Sequence, residues 1–290
     1  MYNAISSNIW KSFALVAFFV ALITGIGYVF AHALESPAIL PIAVVVAVIS
    51  SVGSYYYSDR MVLAVSHAHP ATREEHAHLI NSVEGLALAA GLPAPSIYVI
   101  DDPSPNAFAT GRDPKHAVIC VTTGLMEKLN RIELEGVIGH EMSHIKDYDI
   151  RLMALVAVLA GTVVLMSDWM IRSFWFRGRR DNRNGNAIFV LLALVLALLS
   201  PLAATVIQLA VSRNREYLAD AEGAMLTRYP EGLASALEKI DQAPEPLKEA
   251  SKATAHLFIA NPLKKTDGFL SSLFSTHPPI EERIRRLRTM

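Results

Sequence analysis

Residues 13–34 form an apolar run without a single Asp, Glu, Lys or Arg. At about 1.5 Å of rise per residue, a helix of that length crosses a hydrocarbon layer of about 30 Å. A second block, 37–57, follows after the short turn Glu35-Ser36 and ends in Tyr55-Tyr56-Tyr57, a group suited to a membrane interface. Ala31-His32-Ala33 has the small-residue form of a signal cleavage site, but the run before it exceeds a usual signal core and another apolar block follows at once. A third block, 152–166, stops before Ser167-Asp168, and a fourth, 187–211, is interrupted by Ser200-Pro201, which predicts a kink. The chain therefore reads as a mainly α integral membrane protein with about four transmembrane helices. Composition agrees: 52% of the residues are hydrophobic and 18% charged, against about 25% charged in soluble domains.

The blocks divide the chain into a helical hairpin (1–57), a polar piece (58–151), a pair of membrane or membrane-associated helices with a basic loop at 172–186 (152–211), and a second polar piece (212–290). In the first polar piece, Leu79, Val83, Leu86 and Ala90 recur at helical spacing, and Gly91 and Pro93 stop that helix. Two β-branched runs, 96–100 and 116–121, predict short strands. Between them runs a loop rich in Pro and Asp. Asn130, with Glu133 three residues on, predicts a capping box opening a helix through Leu134, Val137 and Ile138. Net charge is −1, with no basic stripe interleaved with aromatics, so nucleic acid is not an expected partner. Cys120 is the one cysteine, so no intramolecular disulfide or cysteine metal site can form, and its apolar neighbours predict burial.

The predicted helix after Asn130 contains His140-Glu141-Met142-Ser143-His144. Histidines at i and i+4 share a helix face, so both imidazoles reach one Zn²⁺. Glu141, one step round, stands beside the metal and is placed to take a proton from a water that the metal acidifies. Two histidines leave a tetrahedral zinc short of a protein ligand. Glu216 and Asp220, four apart just after the fourth block, fit best: Glu216 to complete the metal's sphere, Asp220 to accept the free N–H of a ligand histidine. Glu133, Glu135 and Glu222 are rivals for the third position. His67, His69, His76 and His78 do not share one helix face, which argues against a second metal site.

Four segments occur in order: Asn106-Ala107-Phe108-Ala109-Thr110-Gly111, the segment from His140 to His144, Ser212-Arg213-Asn214-Arg215-Glu216-Tyr217-Leu218-Ala219-Asp220, and His277-Pro278-Pro279. Together they resemble the signature of HtpX-type membrane zinc metalloproteases, relatives of the CAAX prenyl endoproteases, over essentially the whole chain. The resemblance implies a gluzincin-like α+β catalytic domain with a small β-sheet. It also implies one zinc per chain on His140, His144 and Glu216, with Glu141 as base and Asp220 orienting a ligand. Residues 106–111 would then be an edge strand, offering Asn106, Ala107 and Ala109 to substrate backbone. Arg213 either touches the substrate carbonyl or supports Glu216. His277 either approaches the site or opens the last helix, and stays unassigned.

The same resemblance points to protein quality control, with membrane or unfolded proteins as substrates and a bilayer as partner. Self-cleavage is expected through the polar connectors 172–186 and 241–252. Both polar pieces must share one side of a bacterial-type inner membrane for Glu216 to meet His140. Lys11, Arg60, Arg73, Lys146, Arg151, Arg213, Arg215 and Arg228 favour the cytoplasmic side, while five arginines in 172–186 oppose it. Two rival readings are a prenyl-protein endoprotease, which needs more room for lipid than four spans provide, and a catalytically silent membrane scaffold, in which Glu141 would have no purpose.

Overall fold

The computed structural model describes residues 2–33, 35–159, 161–162, 212–243, 247, 254–262 and 278–290. The end of the third apolar block (163–166), the loop 172–186, the fourth block 187–211 and His277 lie outside the described residues. Among those described, the protein is mainly helical, with one small mixed sheet.

Two long helices come first: α1 (Tyr2–Ala33) and α2 (Ile39–Val65). Each is long and apolar enough to cross a membrane, with only 17% of its most apolar stretch buried in the protein. A core helix of a soluble domain would be mostly covered. Phe13, Ile42 and Ile49 instead point outward, as lipid-facing side chains do. Along their contact, Phe19 and Ile23 of α1 pack on Ala47 of α2 and on Leu159. Gly27 meets Ala43 with no room for a side chain between them, the small-residue packing used where both helices face lipid. The helix α2 does not stop after Tyr57. It continues through Ser58-Asp59-Arg60 because Val62 and Leu63 enter the core beneath the sheet.

The strands β1 (His69–Pro70), β2 (Ser96–Ile100), β3 (Ala107–Gly111) and β4 (Ala117–Thr122) form a sheet of order β1-β2-β4-β3. The central pair β2–β4 is parallel and the outer pairs are antiparallel. Both faces are covered, so β4 reads as an unbroken apolar run. Ile119 and Val121 face the core shared with α3 (Arg73–Ala90) and α5 (Arg131–Lys146); Val118 and Cys120 face the core containing Val62, Leu63 and Phe258. The short α4 (Thr123–Lys128) leads from β4 towards α5. The Asn130–Glu133 capping box is formed in both directions, at 3.0 and 2.8 Å. After a turn at Asp147-Tyr148 the chain is helical again over residues 149–159, mostly buried.

Three further helices close over α5: α6 (Arg213–Thr227), α7 (Pro230–Gln242) and α8 (Ile280–Leu287). The approach of α6 to α5 is set by glycine. A Cβ on Gly223 would lie 2.7 Å from the His140 nitrogen and 2.9 Å from the Gly139 carbonyl carbon. Backbone therefore meets backbone here, and Glu216 is carried within reach of the α5 histidines. Gly223→Ala should push α6 outward at a cost of about 1–3 kcal/mol, lowering both the melting temperature in detergent and metal retention. Gly85→Ala, on a helix with nothing within 4 Å of the new Cβ, should be neutral or raise stability by up to about 1 kcal/mol. Equal melting temperatures for the two variants would show that the α5–α6 contact is not tight.

Candidate metal centre

Helix α5 is buried on nearly every side, polar residues included. His140, Glu141 and His144 all lie inside it, and Glu216 and Asp220 face them from one side of α6. The Nε2 atoms of His140 and His144 are 3.1 Å apart. Glu216 Oε2 is 3.9 Å from the first and Oε1 is 3.6 Å from the second. Among the described residues, this is the group able to hold a metal, with one ligand atom from each residue inside 4.8 Å of the others.

The other ring nitrogens fix the chemistry of this group. His140 Nδ1 lies 2.9 Å from Asp220 Oδ1, and His144 Nδ1 lies 3.0 Å from Asp149 Oδ2. A carboxylate only accepts, so both Nδ1 atoms carry the proton and both Nε2 lone pairs point inward. Two lone pairs and a carboxylate then face one another, an arrangement that suits a cation. Burial lowers the pKa of His140, with the nearby Arg283 charge adding to it. Burial also opposes charge on His144, but the Asp149 hydrogen bond and the charges of Glu216, Asp149 and Glu141 outweigh it and lift that imidazole to about 9. The pair thus attracts one positive centre, and a metal ion at Nε2 competes with a proton there.

Glu141 is buried beside this group, and its carboxylate accepts the backbone N–H of Ala109. Burial pushes its carboxyl up to about 7, with the Glu216 charge adding to it and His144, the Ala109 N–H and Arg283 opposing. The rival carboxylates are engaged elsewhere. Glu133 caps α5 and pairs with Lys239, Glu135 pairs with Arg131, and Glu222 pairs with Lys146.

Two residues join the site that the sequence motifs did not single out. Arg283 of α8 is fully buried; it clamps both oxygens of Asp220 at 2.9 and 2.7 Å and donates to the Ile259 carbonyl at 2.8 Å. Its Nη2 also lies 3.4 Å from His140 Nδ1. Both are donors, so the shared Asp220 oxygen, not a direct bond, links them. A signal for Arg283 was available: Ile280, Ile284 and Leu287 mark the inward face of α8, and Arg283 falls on that face. The second is Asp149, the partner of His144, just past a turn in which Tyr148 has φ 61°. Sequence spacing gives no comparable sign of it.

The strand β3 lies at the sheet's edge, as expected for residues 106–111, but all five of its residues are buried. The amide of Asn106 pairs with the backbone of Ala260, donating to its carbonyl at 3.1 Å and accepting its N–H at 3.4 Å. The Ala107 carbonyl accepts the Ile259 N–H at 2.9 Å, and the Ala109 N–H serves Glu141. Of the two arginines before Glu216, Arg213 is exposed, while Arg215 reaches Asp149 at 2.8 Å.

Residues 73–290 match the family model described as Peptidase family M48. Over its whole length the chain is 49% identical to a protein named "Protease HtpX homolog" from Dictyoglomus turgidum, covering 94% of it. It is 45% identical to one of the same name from Thermoanaerobacter pseudethanolicus, covering 98% of that protein. A third, from Dictyoglomus thermophilum, is 56% identical over 237 residues, 82% of this chain and 77% of the relative. Of solved structures, the crystal structure of S. mikatae Ste24p is similar in fold, with a TM-score of 0.53 at 20% identity over 99% of this chain and 67% of the other. A family match that includes both metal-binding helices, joined to full-length relatives at this identity, makes the chain a metallopeptidase that belongs to peptidase family M48, as an HtpX homolog.

Proposed function

We propose that this metallopeptidase is a membrane-held endopeptidase using one Zn²⁺ per chain, and that its substrates are unfolded or membrane proteins. The observation that carries the reading is the division of labour on α5: two imidazoles turned inward to Glu216, and beside them Glu141, which is held by a backbone N–H and is not among the ligands. An inward-facing set of two imidazoles and one carboxylate suits zinc better than magnesium or calcium, which prefer all-oxygen sites. When bound there, zinc supplies Lewis acidity, polarising a scissile carbonyl and acidifying water. Glu141 accepts the proton of the attacking water and passes it to the departing amine nitrogen. The Ala109 N–H keeps that carboxylate aimed, Asp220 and Asp149 keep both ligand tautomers correct, and Arg283 holds Asp220 ionised.

Substrate backbone pairing at β3 is part of the same reading. Asn106, Ala107 and Ala109 already bond neighbouring groups, so an extended peptide must share or displace those contacts. Arg213, exposed at the start of α6, is available to a substrate. A cytoplasmic catalytic side, a bacterial-type inner membrane, a quality-control role and self-cleavage complete the proposal; the charge pattern and the two membrane-length helices support the first two. A silent scaffold is disfavoured because it needs no buried carboxylate beside the metal ligands.

Glu141→Gln preserves shape but removes the proton acceptor. It should keep wild-type zinc content while cleavage of an unfolded protein in detergent falls by about 10²–10⁴-fold. Wild-type turnover by zinc-loaded Glu141→Gln would end the proposed mechanism. Because Glu141 works deprotonated and burial raises it from 4.5 to about 7, the acid limb of kcat/KM should fall between those values. An acid limb below pH 4 would contradict this assignment. Arg283→Met leaves Asp220 buried without its counter-charge, which typically costs about 3–5 kcal/mol. It should lower both melting temperature and zinc affinity, and Arg283→Lys should not restore them, because it lacks the planar fork that spans both oxygens. Full rescue by lysine would refute the forked geometry.

A further inference from the structure

The first membrane helix turns one amide inward. Asn8 is 2% exposed, whereas Trp10, two residues on, is 74% exposed. A buried amide is costly unless every polar atom is used, and here each is. Asn8 Nδ2 donates to Asp149 Oδ1 at 2.6 Å and to the Asp147 carbonyl at 3.0 Å. Asn8 Oδ1 accepts from Arg215 Nη1 at 3.1 Å, and the same Nη1 donates to Asp149 Oδ1 at 2.8 Å. With Oδ1 engaged twice, Asp149 turns Oδ2 to His144 Nδ1 at 3.0 Å.

The turn that aims Asp149 is itself strained. Tyr148 adopts φ 61°, a left-handed conformation that non-glycine residues seldom take. Asn8 bonds the residues on both sides of it, Asp147 through the carbonyl and Asp149 through the carboxylate. Arg215 lies one residue before Glu216, so the network touches the approach to a second metal-type ligand as well.

We infer that Asn8 is a positioning residue for the metal centre, through which the docked first membrane helix holds Asp149, and thereby His144, in register. The inference rests on the proposed zinc site. Partners of ligand histidines typically change metal affinity by about 10–100-fold when removed, and Asn8 acts one step further out. Loosening α1 from the rest of the protein should therefore weaken metal binding without any change to the ligands themselves.

The test uses the full chain in detergent. Asn8→Leu, similar in size and compatible with lipid, is compared with wild type and with Ser12→Ala. Ser12 is also buried on α1, but its hydroxyl bonds only the Asn8 carbonyl of its own helix. Asn8→Ser, which adds no apolar bulk, runs alongside so that misfolding of the leucine variant leaves the comparison intact. Zinc affinity is measured by competition with a chromophoric chelator, and the visible spectrum of the Co²⁺-loaded protein reports ligand geometry. For both Asn8 variants we expect zinc affinity about tenfold weaker, shifted Co²⁺ bands, and a lower kcat at nearly constant KM, with Ser12→Ala matching wild type. Unchanged affinity and spectra in the Asn8 variants would overturn the inference alone, as would an equal loss in Ser12→Ala. A wild-type protein that binds no zinc would instead overturn the zinc reading, and this inference with it.

Discussion

The close contact of α5 with α6 is the constraint from which the site follows. The metal-type ligands come from two helices separated in sequence by more than 60 residues, and nothing in either helix alone assembles them. Where Gly223 crosses Gly139 and His140, no side chain separates the backbones. A methyl group there would set the helices apart by several tenths of an ångström, comparable to the tolerance of a metal–ligand bond. Packing geometry and metal chemistry are thus fixed by the same contact. Gly136, facing Gly232-Leu233 of α7, repeats the device one turn away and seats α7 against α5.

Such tight burial raises a charge problem. Among the described residues, Glu141, Glu216, Asp220 and Asp149 bring four carboxylates into the site, and Arg283 and Arg215 bring two guanidiniums. With both imidazoles neutral, as metal ligands must be, two negative charges remain for a divalent cation. The guanidiniums make their close contacts with Asp220 and Asp149, the carboxylates that orient histidines, while Arg283 stays 3.9 Å from Glu216 Oε2. An unpaired buried charge is far more costly than a paired one, so the arginines are as much part of the centre as the ligands beside them. The effect of Arg283 is legible in Asp220, whose carboxyl is brought down to about 2: burial opposes this, and Arg283 and His140 overcome it.

How much of this could be read from sequence follows the range of the interactions. Local rules worked where a few neighbouring residues decide the outcome. Asn130 and Glu133 cap α5 as expected, the run 96–100 is a strand over those same residues, and Cys120 is buried. Spacing puts Glu216 and Asp220 on one helix face, and in the fold Asp220 lies 2.9 Å from His140 Nδ1 while Glu216 sits opposite both histidines. Arg283 escaped because its partner is 63 positions away, and a run of arginines beside it reads as an ordinary solvated face. Asp149 escaped because the turn that directs it depends on Asn8, 141 positions away. The end of α2 at Val65 differs from the end of the hairpin expected at Tyr57 for a related reason. Hydropathy falls there, but α2 continues because Val62 and Leu63 are buried by the sheet, not by lipid.

That last point changes how the membrane part relates to the catalytic part. If α2 ended at the interface, a flexible joint would let the hairpin act as a simple tether. One continuous helix instead runs from the lipid-facing surface into the core that contains Phe108 and Cys120 of the sheet. Phe108 is itself the middle of the tripeptide whose neighbours, Ala107 and Ala109, face Ile259 and Glu141. A tilt of α2 would therefore be felt at β3 within one packing layer, while α1 reaches Asp149, the partner of His144, through Asn8. Both helices of the hairpin thus bear on the metal centre, so the two helices long and apolar enough to cross a membrane also support the geometry on which its chemistry depends.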